Sequence, residues 1–233
     1  MVCVLLFRSG QEGIRTMKRA LLGGLTALAL VMGAMSAQAN PVIYSQGFDG
    51  TGNLYASQND TASLGNFATV YDNFTLGLNS TVTDVEWTGG YFNPPSQGPI
   101  TQWTVSFYGD NAGQPGGVLS TQTFAGTGSE TFLGNYGGFP IYTYGVDLNT
   151  PFNAAAGTQY WLSVVPDLAF PPQWGWASGT GGDGISYQDF FGGRSQLTTD
   201  MTFSLTGTTV PEPTSLSLLG IGILGVVRRL RRK

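Results

Sequence analysis

Between residues 40 and 209 the apolar positions recur in short runs rather than in long stripes. These runs are rich in Val, Thr, Tyr, Phe and Trp, and clusters of Gly, Pro, Asn and Asp separate them. No window sustains the 3.6-residue period of an amphipathic helix, so the pattern predicts strands. Eight are expected, over 68–75, 81–91, 101–108, 118–124, 141–147, 159–165, 173–177 and 200–205. Alternation is clearest in Gln102-Trp103-Thr104-Val105-Ser106-Phe107, which turns Trp103, Val105 and Phe107 to one face and polar side chains to the other. Asp200-Met201-Thr202-Phe203-Ser204-Leu205 repeats the pattern with Met201, Phe203 and Leu205 inward. The stretch also holds 27 glycines, a density that opposes helix. The expected fold is all-β: a single antiparallel β-sandwich of jelly-roll-like topology, with an immunoglobulin-like Greek key as the alternative.

The flanks read differently. From Met17 the chain runs MKRALLGGLTALALVMGAMSAQA: a Lys18-Arg19 start, an apolar run and an Ala37-Gln38-Ala39 ending. This is the pattern of a secretory signal peptide cleaved before Asn40, the substrate of the Sec translocon and signal peptidase. It puts the start at Met17 and leaves residues 1–16, with Cys3, as a start-site artefact or a long n-region. The alternative is an uncleaved membrane helix over the uncharged residues 20–39. At the other end, Val210-Pro211-Glu212-Pro213 precedes TSLSLLGIGILGVV and then RRLRRK. As a helix, the uncharged stretch 213–227 spans about 22 Å, short of the roughly 30 Å hydrocarbon core, and snorkelling arginines make up part of the difference. The basic anchor Arg228, Arg229, Arg231, Arg232 and Lys233 is expected on the cytoplasmic side, with the body across the membrane from it. The organisation is thus a signal helix in 1–39, a sandwich domain in 40–209, and a sorting segment with a transmembrane helix in 210–233.

Pro-Glu-Pro, a short Gly-containing apolar helix and a terminal Arg run resemble the PEP-CTERM sorting signal of Gram-negative bacteria over residues 210–233. The resemblance implies that Pro211, Glu212 and Pro213 are read by exosortase, a membrane-embedded cysteine protease-transpeptidase. Processing near the motif then follows, with release or transfer of the body to the cell surface, commonly alongside exopolysaccharide production. Segments within residues 106–165 also resemble jelly-roll modules of secreted bacterial surface proteins.

Charge sharpens this picture. Residues 40–209 carry 12 acidic residues against the single base Arg194, so the body stands at −11 although the whole chain is only −4. Such a surface repels nucleic acid and anionic lipid, which excludes nucleic-acid partners and confines membrane attachment to the C-terminal helix. The chain has no histidine, which excludes Ser-His and Cys-His nucleophiles and His-ligated zinc. Its one cysteine lies in the leader, so stability rests on the core and not on disulfides.

Within the body four groups of residues invite chemistry. Asp84 and Glu86, two apart on an expected strand, share a face and are either a solvated surface or one side of a glycosidase pair; Glu130 is a further candidate for hydrolysis. Asp110 and Asp183, each in a Gly-rich turn, read as turn formers or as ligands of a structural Ca²⁺; no other cofactor is implied. Trp174 and Trp176 fall on one face of a strand and read either as core or as an aromatic platform for a sugar ring. The function expected is that of a non-enzymatic exported surface or extracellular-matrix protein, processed by exosortase and associated with exopolysaccharide or biofilm. The alternatives are a carbohydrate-binding module and a carboxylate-dependent hydrolase. The expected location is an inner-membrane-anchored precursor followed by the cell surface or the medium.

Overall fold

The computed structural model describes residues 40–209. They form β1 (Val42–Phe48), β2 (Leu54–Ala56), β3 (Gln58–Asp60), β4 (Gly65–Thr75), β5 (Ser80–Phe92), β6 (Gln102–Asp110), β7 (Pro115–Ala125), β8 (Thr131–Tyr136), β9 (Phe139–Ala154), β10 (Gln159–Leu168), β11 (Gln173–Thr180), β12 (Ser186–Phe190), β13 (Gly193–Leu197), β14 (Asp200–Met201) and β15 (Phe203–Thr209). Among the described residues there is no helix. The expected signal and transmembrane helices lie outside them.

The strands divide into two sheets. One runs β14-β11-β1-β15-β5-β9-β8 with β2 added against β11; the other runs β13-β12-β4-β3-β10-β6-β7. Nearly all pairings are antiparallel, and short turns join β3–β4, β6–β7, β8–β9 and β12–β13 as hairpins. The exception is β3, which lies parallel to β10 through Asn59 and Asp60. The chain crosses repeatedly from one sheet to the other, as from β4 to β5 to β6 and from β9 to β10 to β11.

The core sits where the two inner faces meet, and indole rings fill its centre. Trp87 of β5 meets Trp103 of β6 with ring centroids 4.7 Å apart, and Trp103 meets Trp174 of β11 at 4.9 Å. Toward one end, Phe107 stacks on Phe152 at 4.2 Å. The alternation read from the sequence holds: Trp103, Val105 and Phe107 are buried, as are Met201, Phe203 and Leu205. Rings of this size need space, and Gly89 provides it. A Cβ at that position would lie 2.1 Å from the Trp174 ring and 2.6 Å from the Gly175 carbonyl oxygen.

Each of the eight expected strands is present, the last divided at Thr202 into β14 and β15. The structure adds β1, β2, β3, β8, β12 and β13. β13 is exposed along nearly its whole length and β8 over most of it, so neither shows a buried apolar stripe, and β12 is short and mostly polar. What makes them strands is a hydrogen-bonding neighbour, which a local pattern does not record.

Candidate functional site

The two junctions of the body lie side by side. β15 is flanked by β1 and β5, and its C-terminal end lies beside the N-terminal end of β1, with Thr206 opposite Val42. The Gly207 N–H donates to the Pro41 carbonyl at 3.0 Å, and the Asn40 amide donates to the Thr83 hydroxyl at 2.9 Å. Gly207 is required there: a Cβ would sit 2.0 Å from the Thr81 carbonyl oxygen. Asn40 and Thr209, the first and last described residues, therefore lie at the same end of the sandwich, beside or on the adjacent strands β1 and β15. Pro211, Glu212, Pro213 and the basic anchor from Arg228 to Lys233 lie outside the described residues.

A cleft of about 930 Å³ opens on the outer face of the first sheet. Its floor includes Ser204, Asp84, Glu86, Gly145 and Asp147, and Phe124, Ser129 and Leu133 contribute to its wall. The floor is acidic because β5 alternates: Val85 and Trp87 face the core, so Asp84 and Glu86 face out. Register then sets Asp147 of β9 directly opposite Asp84. Burial works against the charge on Asp84. Hydrogen bonds from the Asp147 carboxyl and from the Thr83 and Thr206 hydroxyls outweigh it and hold the pKa below the ordinary carboxylate value; the Thr206 bond is 2.7 Å long. Asp147 moves the other way, raised by the hydrogen bond to Asp84 and by its negative charge. Of the two, Asp147 is therefore the carboxyl that takes up a proton first as pH falls. Glu86, in the next row, accepts from the Ser204 hydroxyl at 3.1 Å and is otherwise exposed.

Glu130 does not line this cleft. Its carboxylate accepts hydrogen bonds from the hydroxyls of Tyr91 and Tyr144 and from the Gln97 amide. Trp174 in turn donates to the Tyr144 hydroxyl at 3.2 Å. Burial foremost, with the carboxylate adding to it, pushes the hydroxyl pKa values of Tyr91 and Tyr144 up. Glu130 therefore ties the loop before β8 to the core, and it forms no pair with Glu86.

Trp174 and Trp176 are both fully buried. A sugar platform needs an open ring face, so the platform reading is corrected in favour of the core. Trp174 packs on Trp103 and Tyr144, and Trp176 packs on Phe203 and donates to the Thr202 carbonyl at 2.7 Å. The local cue was the paired tryptophans; it omitted the facing sheet, whose Trp103 packs on Trp174.

Turn chemistry accounts for Asp110 and Asp183. Asp110 accepts from the Trp161 indole at 2.9 Å and from the Gly113 N–H at 3.1 Å. Asp183 accepts from the Ile185 N–H at 2.9 Å and from the Asn73 amide at 3.0 Å. Among the described residues no three His, Cys, Asp or Glu side chains come together as a metal-binding group. Sequence reasoning missed Asp147, because nothing local to it records that Asp84 lies across the ladder.

Residues 209–233 match the family model of the PEP-CTERM protein-sorting motif. No curated protein matches the chain. The match defines a class: an exported protein whose C-terminal segment is the signal that exosortase processes, here following an all-β body.

Proposed function

We propose that this protein is a non-enzymatic component of the cell surface or extracellular matrix, made as an inner-membrane-anchored precursor, processed by exosortase near Pro211-Glu212-Pro213 and associated with exopolysaccharide. The observation that carries this reading is the placement of the sorting motif directly after the last strand of the body, with β15 ending at Thr209 and the matched segment beginning there. Two further features support it. The body carries −11 and, Arg194 apart, no base to hold nucleic acid or anionic lipid. Its crossing strands fit a jelly-roll module built for stability outside the cell without disulfides. Fractionation of the producing host tests it. The body is expected with the exopolysaccharide in the wild type and in the inner membrane when exosortase is deleted; an unchanged distribution overturns it.

The cleft favours a second reading, a carboxylate-dependent hydrolase, because Asp84, Asp147 and Glu86 line one open floor. A screen of glycan and peptide substrates decides between the two. Turnover abolished by Glu86→Gln establishes the hydrolase; no turnover on any substrate leaves the matrix reading.

A further inference from the structure

We propose that the end of the sandwich opposite its two junctions binds neutral polysaccharide, with Phe190 and Phe191 as the stacking rings. This rests on the exopolysaccharide association proposed above and names the surface that performs it.

Register fixes the polarity of the molecule. Thr209 pairs with Ser80 at the start of β5, one turn beyond the end of β4 at Thr75. Phe190 pairs with Ala68 near the opposite end of β4, roughly 25 Å away along the strand. The β12–β13 hairpin therefore lies at the end of the sandwich opposite Asn40 and Thr209.

The hairpin tip is built for something other than stability. Phe191 and Gly192 form its two-residue turn with φ of +48° and +82°, a conformation that favours Asn-Gly. An aromatic side chain stands there instead, 62% exposed, with its N–H held by the Phe67 carbonyl at 2.7 Å. Phe190 is 43% exposed; the two rings stand edge to face at 4.8 Å, and both rest on Phe67. At the same end Leu64 and Phe170 are also exposed, and Asp60 holds both by accepting their backbone N–H groups at 2.7 and 2.8 Å. The result is an apolar surface on a fixed backbone, and such exposed patches mark binding sites.

Charge selects the occupant. Arg194, the single base of the body, donates twice to Asp189 across the same hairpin, at 2.7 and 2.8 Å, and lies over the Tyr71 ring at 5.2 Å. The hairpin therefore carries no net charge on an otherwise acidic domain, and it offers no free cation to an anionic polymer. Flat aromatic faces match the C–H faces of pyranose rings, and the exposed Asn66 and Ser195 nearby supply hydrogen-bonding groups for hydroxyls.

Affinity electrophoresis of the processed protein, recovered from its host, tests the assignment in native gels containing dextran, galactomannan, alginate or the producer's own exopolysaccharide. Retardation is expected with a neutral polymer and the producer's exopolysaccharide but not with anionic alginate. Phe191→Asn and the double variant Phe190→Ala/Phe191→Asn should each need at least about tenfold more polymer for equal retardation. Asn suits the turn, so Phe191→Asn should keep its melting temperature within about 2 °C of wild type. Variants retarded like the wild type overturn the proposal, as does equal retardation by alginate. So does an apolar tip that serves phosphatidylglycerol vesicles or dimerisation instead. Variants that still fractionate with the exopolysaccharide in cells sink the tip alone; a wild type that does not fractionate with it sinks the association itself.

Discussion

Replacing Asp60 with Ala removes four hydrogen bonds at once, and the cost can be worked from the geometry. The buried carboxylate accepts the backbone N–H groups of Ala62, Ser63, Leu64 and Phe170 at 2.9, 3.0, 2.7 and 2.8 Å. Burial works against its charge, but the four donors outweigh burial and hold its pKa well below the usual carboxylate range. Hydrogen bonds to a charged group are worth about 1.5–3 kcal/mol each when lost. Residues 61–64 are exposed, so their N–H groups can turn to water, and roughly 3–4 kcal/mol of the total is expected to remain. For a domain of this size that lowers the melting temperature by about 6–16 °C. The pH dependence carries a sign. A depressed pKa contributes stability that is full above the unfolded value of about 3.9 and is lost as pH falls below it. Urea titrations of wild type and Asp60→Ala at pH 7 and pH 3 should therefore show a wide gap that narrows in acid. A gap under about 1 kcal/mol at pH 7, or one that does not change with pH, refutes the reasoning.

Three further predictions follow from the same packing and electrostatics. Trp174→Ala should cost about 3–5 kcal/mol in a denaturant titration, because a fully buried indole leaves a cavity, and polysaccharide retardation of the fraction still folded should be unchanged. Gly89→Ala should destabilise by about 2 kcal/mol or more, since its Cβ would overlap the Trp174 ring and the Gly175 carbonyl; a melting temperature equal to wild type contradicts that account. Asp147→Asn removes the raised carboxyl and its repulsion of Asp84. Wild type, with the Asp147 pKa raised, should lose a little stability as pH climbs through the ordinary carboxylate range and above it, and the variant should not, as parallel melts from pH 4 to 7 will show.

How much of this was legible in the sequence depended on whether the signal was local. Alternation in 102–107 and 200–205 announced both strands and their inward faces, and both are as read. The sorting segment was legible because Pro211-Glu212-Pro213, the apolar run and the Arg-rich end follow one another in a single stretch, and the family match covers it. Pairing across strands was not legible. Asp84 and Glu86 were visible as neighbours on one face, yet their partner Asp147 lies across the ladder on β9. Trp174 and Trp176 looked alike as core or platform, and only the rings packed on them, Trp103 and Phe203, decide for the core. Two exposed rings, Phe190 and Phe191, sit instead on β12 and its turn, where a polar run hid the strand.

The most direct test of the central claim is the intact mass of the body recovered from the host's culture fluid and envelope, with and without exosortase. The account predicts a species beginning at Asn40 and ending near Pro211 to Pro213, formed only when exosortase is present. A species that keeps the basic tail in both strains would contradict it and leave residues 210–233 as a plain membrane anchor.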